Sequence, residues 1–266
     1  MKRILFAVSI SVGLITTVTV AGDLTTAEEV MKFSIEKSDS YKTFAADLTQ
    51  SITMMGMPMT VTGHIEFKQP ALMRFDMQMP MMGQTQTVLG VMGPDKVVWQ
   101  EMHMGGMTQV MKIDFQNIPT NSAAAAAVKN PFEGMDPKQQ WLSARKKYDF
   151  KLAGTSDLRG QKMYVVVGTP KPTAQWTPQE SAMGVSSATD KVYVGQQDGF
   201  MHRMELLDKN GTNTLMTMEF TNLRFNVDIP DSQFVYKPAP GVQVMDMTQM
   251  IQQMGASPLS PAPTTQ

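Results

Sequence analysis

The sequence predicts a mainly β protein, a long antiparallel sheet with helices lying against its apolar side. Two observations lead there. From Tyr41 onward, long stretches alternate apolar and polar residues with a period of two, as strands do when one face is wet. Pairs such as Asp198-Gly199 and Asn210-Gly211, suited to hairpin turns that need positive φ, separate some of these stretches.

The two ends read as accessory segments. Lys2 and Arg3 precede an uncharged run from Ile4 to Val20, and Ala21 and Gly22 supply small residues before Asp23. This is the three-part pattern of a secretory signal peptide, residues 1–21, cleaved after Ala21 or Gly22. The run is diluted by Ser and Thr and falls short of the roughly 20 apolar residues of a membrane anchor. The folded domain is expected over 22–255. Residues 256–266 are Pro, Ser, Thr and Ala with little else, too polar to pack, and are expected to be disordered. There is no cysteine, so disulfides, thiolate ligands, thiol nucleophiles and a lipidated cysteine are all excluded. The expected product is soluble and periplasmic. A net charge of −1 gives no global field that favours nucleic acid.

The elements follow in order. Thr25 and Thr26 before Glu28 and Glu29 form a doubled capping box, and Ala27, Val30, Met31, Ser34 and Ile35 fall on one helical face. A helix is expected from about Ala27 to Ser38. Phe44, Ala46, Leu48, Gln50, Ile52 and Met54 then share one side of a strand. Met59, Val61, Gly63, Ile65 and Phe67 share one side of the next, and Met73, Phe75, Met77 and Met79 of a third. Strands near Thr85–Val91, Lys96–Met102 and Thr108–Ile113 complete a six-stranded meander. A helical insertion near 122–146 comprises Ala-rich Ser122–Val128, a break at Asn130-Pro131, and a helix capped by Asp136 that starts at Pro137 and contains Trp141 and Leu142. Strands resume at Tyr148–Ala153, Met163–Gly168, Lys191–Gly195, Met201–Leu207, and Leu215–Phe220 running on through Arg224–Val227. Three prolines make Thr169–Gln179 a loop. Phe234 and Tyr236 suggest a last short strand, and Thr248–Met254 a short helix. Both strand sets are expected in one continuous sheet, its apolar face covered by the helices.

Three segments occur in order along the chain: Gly63-His64-Ile65-Glu66-Phe67-Lys68-Gln69-Pro70 followed by Arg74-Phe75-Asp76; Gly93-Pro94-Asp95-Lys96-Val97-Val98-Trp99; and Phe234-Val235-Tyr236-Lys237-Pro238-Ala239-Pro240-Gly241-Val242. Together they resemble the LolA-like family of periplasmic lipoprotein carriers. The resemblance implies an unclosed β-barrel, a curved antiparallel sheet with α-helices covering its concave face. It also implies a cavity for lipoprotein acyl chains or another lipid under a helical lid. No reaction and no cofactor follow from it, and the partners would be an inner-membrane release complex and an outer-membrane receptor. A monomer is expected. The inward side chains expected to line the cavity are Ile65, Phe67, Met73, Phe75, Met77 and Trp99. The carriers commonly have Arg immediately before the turn proline, where it helps hold the lid shut; here the residue is Gln69.

Catalytic signatures are missing. The three histidines, His64, His103 and His202, stand apart, with no H-E-x-x-H pair, nucleophile elbow or P-loop in the sequence. Methionine is the anomaly, 27 residues against 12 Phe. Met54, Met55, Met57 and Met59 flank the first turn of the meander, Met79, Met81 and Met82 the third, and Met102, Met104 and Met107 the fifth. Consecutive hairpin turns alternate between ends, so all three clusters fall on one end of the sheet. Three readings remain open. Methionine fills gaps in the core. Alternatively Met57, Met81 and Met104 form a soft apolar cavity mouth. Or the thioethers bind Cu(I), through Met54, Met57, Met59, Met102, His103 and Met104.

Overall fold

The structure, a computed structural model, describes residues 24–54, 57–81, 83–118, 137–177, 180–181 and 184–256. The expected signal peptide, the Ala-rich part of the expected insertion and nearly all of the expected tail lie outside these residues.

Helix α1 (Ala27–Ser40) starts where the capping box predicts: the Thr26 hydroxyl accepts from the Glu29 amide at 3.2 Å, and the Glu29 carboxylate accepts from the Thr26 amide at 3.0 Å. This satisfies two of the amides that a helix start leaves orphaned. Ala27, Val30, Met31 and Ser34 are its buried stripe. The meander follows as β1 (Thr43–Met54), β2 (Met57–Lys68), β3 (Leu72–Met81), β4 (Gln84–Met92), β5 (Val97–Met104) and β6 (Met107–Asp114). Helix α2 (Pro137–Lys147) leads into β7 (Tyr148–Leu158), β8 (Gln161–Pro170), β9 (Thr189–Gly195), β10 (Met201–Leu207) and β11 (Thr214–Phe225). A short strand β12 (Val244–Asp246) and helix α3 (Met247–Ala256) close the described chain.

All twelve strands form one sheet in the order β12-β6-β5-β4-β3-β2-β1-β11-β10-β9-β8-β7. β1 is the joint, paired with β2 on one edge and β11 on the other. The edge strands β12 and β7 are not paired with each other, so the barrel is unclosed. Among the described residues no helix is long and apolar enough to cross a membrane.

One face of this sheet is predominantly apolar. Cross-strand register places Leu48, Gly63, Met77, Val88 and Met102 in one row, and Ala46, Ile65, Phe75, Gly90 and Gln100 in the next. α1, α2 and α3 lie on this side. α1 and Trp141 of α2 bury Tyr164, Val166, Val192 and Val194 of β8 and β9. Met247 of α3 and Ile113 of β6 both pack against Ile118.

The predicted strand at Phe234 and Tyr236 is absent. Asp231–Phe234 is a short 3-10 turn, and the segment from Asn226 to Gln243 crosses the strands instead of running beside them. Its contacts step across the other face of the sheet: Val227 O with Thr43 of β1, Ile229 O with Lys68 of β2, and Gln233 O with Arg74 of β3. Tyr236 then meets Trp99 of β5. The strap ends as β12, parallel to β6, which the sequence did not signal.

Candidate functional site

The candidate site is the part of the apolar face near the Met-rich end. The hairpin pairs Met54↔Met57, Met81↔Gln84 and Met104↔Met107 lie at the same end of the meander, as alternating turns require. Away from that end, Met73, Met92 and Val98 are buried as a core cluster, with Phe67, Phe75, Ile113 and Phe115 against it. α1 makes a second core on β7–β10. Between the two, and toward the Met-rich end, the same face carries Met59, Met77, Met79, Met102, Met204, Met216 and Met218. Each is only partly buried. The result is a band of thioether side chains running from β10 to β5, soft and half-open.

Close approach of neighbouring strands lays some side chains flat. Gly90 stands opposite Phe75, and a Cβ on Gly90 would meet that ring at 2.1 Å. Gly63 plays the same part beneath Met77, where a Cβ would meet Sδ at 2.2 Å. Phe75 and Met77 therefore lie across their neighbour strands and leave a shallow surface above them. The amide of Gln50, on the same face, points its Nε2 at Met216 Sδ, 3.3 Å away.

The sequence-predicted lining residues divide into three groups. Ile65 and Met73 are fully buried and serve the core. Phe67, stacked on Phe44 at 5.4 Å, and Phe75 edge that core, while Met77 lies in the half-open band. Trp99 sits on the opposite face: it pairs with Val91 and Lys112, and its ring packs on Tyr236 at 5.4 Å with the Lys112 ammonium 5.9 Å from its centroid. It lines no surface shared with the other five. Of the predicted mouth residues, Met104 is exposed, and the side chains of Met57 and Met81 lie outside what the structure describes.

Toward the Met-rich end of the meander the opposite face is polar. A groove of 570 Å³ there is lined by residues that include Asp47, His64, Asp76, Glu101 and His103. His64 Nδ1 lies 2.7 Å from Asp47, and His103 Nε2 lies 2.5 Å from Glu101. The hydrogen bond from Asn222, followed by that from His64, lowers the Asp47 carboxyl below its ordinary range. Tyr236 donates to Glu101, and burial is the main reason its phenol is raised above the ordinary value. His202 is likewise tied to Asp198 at 2.8 Å. Each histidine is thus held by a carboxylate, and among the described residues no group of three or more His, Asp and Glu is arranged to hold a metal ion.

Gln69, at the turn where the carriers commonly have Arg, donates from Nε2 to the Asp39 carbonyl in the last turn of α1 at 3.2 Å. A neutral hydrogen bond thus joins the meander to the end of the helix.

No protein-family profile matches this chain, and no curated protein does. Solved structures of similar shape exist at low identity. The Pseudomonas aeruginosa MucA/MucB complex aligns at 17% identity over 79% of this chain and 61% of that one, with a TM-score of 0.46. The Mycobacterium tuberculosis lipoprotein LppX aligns at 9% over 77% and 98%, with a TM-score of 0.44. A LolA superfamily protein from Nitrosomonas europaea aligns at 11% over 80% and 99%, with a TM-score of 0.32. This chain spans about 60% of the length of the MucB chains.

Proposed function

We propose that this chain is an exported, signal-cleaved periplasmic protein that binds and carries an apolar chain, a lipoprotein acyl group or another lipid. The ligand lies on the half-open methionine band, beside α1, and no reaction occurs there. The observation that carries this reading is the band itself. A predominantly apolar sheet face, with core clusters at two places and partly exposed side chains between them, offers a long trough to a flexible hydrocarbon. Methionine suits the task because its unbranched, polarizable side chain adapts to ligands of differing shape. The three resembling sequence segments point the same way. The neutral Gln69 tie leaves α1 free of a charged clasp at that turn, so the lid would open more readily than in carriers with Arg.

Affinity for acyl probes on delipidated protein tests the proposal. Burial is worth about 0.8 kcal/mol per methylene, so lengthening the chain by two carbons should tighten binding about tenfold. Met77→Asp or Met218→Asp places a charge in the trough and should weaken binding about tenfold or more, since burying an unpaired charge is costly. Thr62→Asp, on the polar face, should leave it unchanged. Affinity that is indifferent to chain length and to both trough variants would remove the reading.

A further inference from the structure

At one corner of the sheet the methionines form a separate constellation. Gly105 and Gly106, with φ of +54° and +81°, make a two-residue turn that sets Met104 directly opposite Met107. Met102 lies two residues before Met104 and so points to the same side. The strap delivers Met245 beside β6 on β12. These four thioethers line one cavity of 390 Å³, whose other walls are Gln86, Thr108, Gln109 and Gln243.

The donor set is selective by chemistry. No carboxylate, imidazole or thiol lines the cavity. Calcium and magnesium need anionic oxygens, and zinc needs nitrogen or thiolate ligands. Neutral thioethers suit a soft ion such as Cu(I). The exposure of the residues argues against a packing role: Met104 is 47% exposed, Met107 68% and Met245 43%. Side chains so open fill no gap in a core, and clustered exposed apolar groups on a soluble protein mark a site of interaction. Sulfur is what distinguishes them from leucine.

We infer that Met102, Met104, Met107 and Met245 form a Cu(I) site at the β5–β6 corner, at the end of the acyl trough and sharing only Met102 with it. It differs from the set suggested by sequence spacing. β2, which carries Met57 and Met59, is three strands from β5, about 14 Å at the usual strand separation, so those residues belong to another corner. His103 points to the opposite face, bound to Glu101 and to Thr108 at 3.0 Å, and is not a ligand.

The test is an anaerobic titration of the full mature chain with Cu(I) against a chromogenic Cu(I) chelator. The parent protein should take up one equivalent. Met104→Leu, Met107→Leu and Met245→Leu combined keep the apolar volume and remove the sulfur at three ligands that lie outside the trough. That variant should lose affinity by more than the roughly 10–100-fold that follows loss of an outer-shell partner of a metal. Met77→Leu with Met218→Leu, in the trough, should retain it. Ag(I), a diamagnetic stand-in, should shift the methyl resonances of the corner methionines and leave those of Met77 and Met218 in place. Acyl-probe affinity should be the same in the corner variant as in the parent, so loss of Cu(I) binding with probe binding intact separates this site from the trough. A parent that takes no Cu(I), a corner variant that binds it as well as the parent, or equal losses in corner and trough variants would each overturn the assignment.

Discussion

Asp190 is nine-tenths buried on β9, facing the apolar side between Gly168 and Leu206, and its Oδ1 has no hydrogen-bond partner among the described residues. Burial pushes its carboxyl up to about 7, against a smaller opposing pull from the Lys191 amide. Its charge, together with that of Glu180 and after burial itself, also contributes to the raised phenol of Tyr148. Unfolded, the acid ionises near pH 4; folded, it keeps its proton until about pH 7. Between those values the folded state binds more protons, so stability falls as pH rises, by at most about 1.4 kcal/mol per pH unit, and levels off above 7. Asp190→Asn should remove this slope and stabilise the protein at pH 8 relative to the parent. Denaturant midpoints of both proteins at pH 5 and pH 8 measure it, and equal slopes in the two would refute it. None of this is visible in the sequence, where Asp190 is one acid among 24 Asp and Glu. Trp99 failed to read for a related reason. Alternation puts it opposite Met102, but a tryptophan invites an inward assignment, and its true partner, Tyr236, is 137 positions away along the chain (236 − 99).

At the scale of elements, apolar patterning located β1 to β6 and β7 to β11: most alternate one covered and one wetter face, while β8 and β9 are buried on both faces and stand out as short apolar runs. The strap and β12 were illegible. Phe234 and Tyr236 are spaced two apart as on one side of a strand, yet the segment runs across the sheet, and only the third dimension separates the two cases. Three residues of β12 are too few to carry a period. The strap matters energetically all the same. Phe234 is fully buried and, with Ala45 and Ile229, makes a core cluster on the face opposite the trough. Phe234→Ala should cost about 3–5 kcal/mol, the size seen when large aromatic side chains are removed from cores. Tyr236→Phe, which removes only the bond to Glu101, should cost nearer 1 kcal/mol. Urea denaturation of the two variants gives the ratio, and a Phe234→Ala loss no larger than that of Tyr236→Phe would show that the strap is a loose cover.

At the scale of the molecule, the sheet is continuous but its cover is exchanged between halves. α1 is N-terminal, joined directly to β1, yet its buried stripe rests on β8 and β9. The strap is C-terminal, yet it packs on β1, β2, β3 and β5. β1 itself needs β11, some 170 residues away, to pair its second edge. The meander therefore looks like a unit in the sequence and is not one in the fold. A fragment of residues 24–118 retains the strands that carry most of the methionine band, but β1 gains an open edge, α1 loses its seat, and Ala45 loses the cover of Ile229 and Phe234. Unpaired edges of that length invite association, and small cores lack the buried area to offset chain entropy. The fragment should show no cooperative thermal transition and should aggregate at concentrations where residues 24–256 remain monomeric. Supplying residues 137–256 in trans should restore a single transition, because that piece carries β11, the strap and the seat of α1 together. Differential scanning calorimetry of the fragment alone, its complement alone and the mixture measures this. A sharp transition in 24–118 by itself would mean that the meander folds autonomously, and the exchanged covers would then be embellishments on an independent sheet.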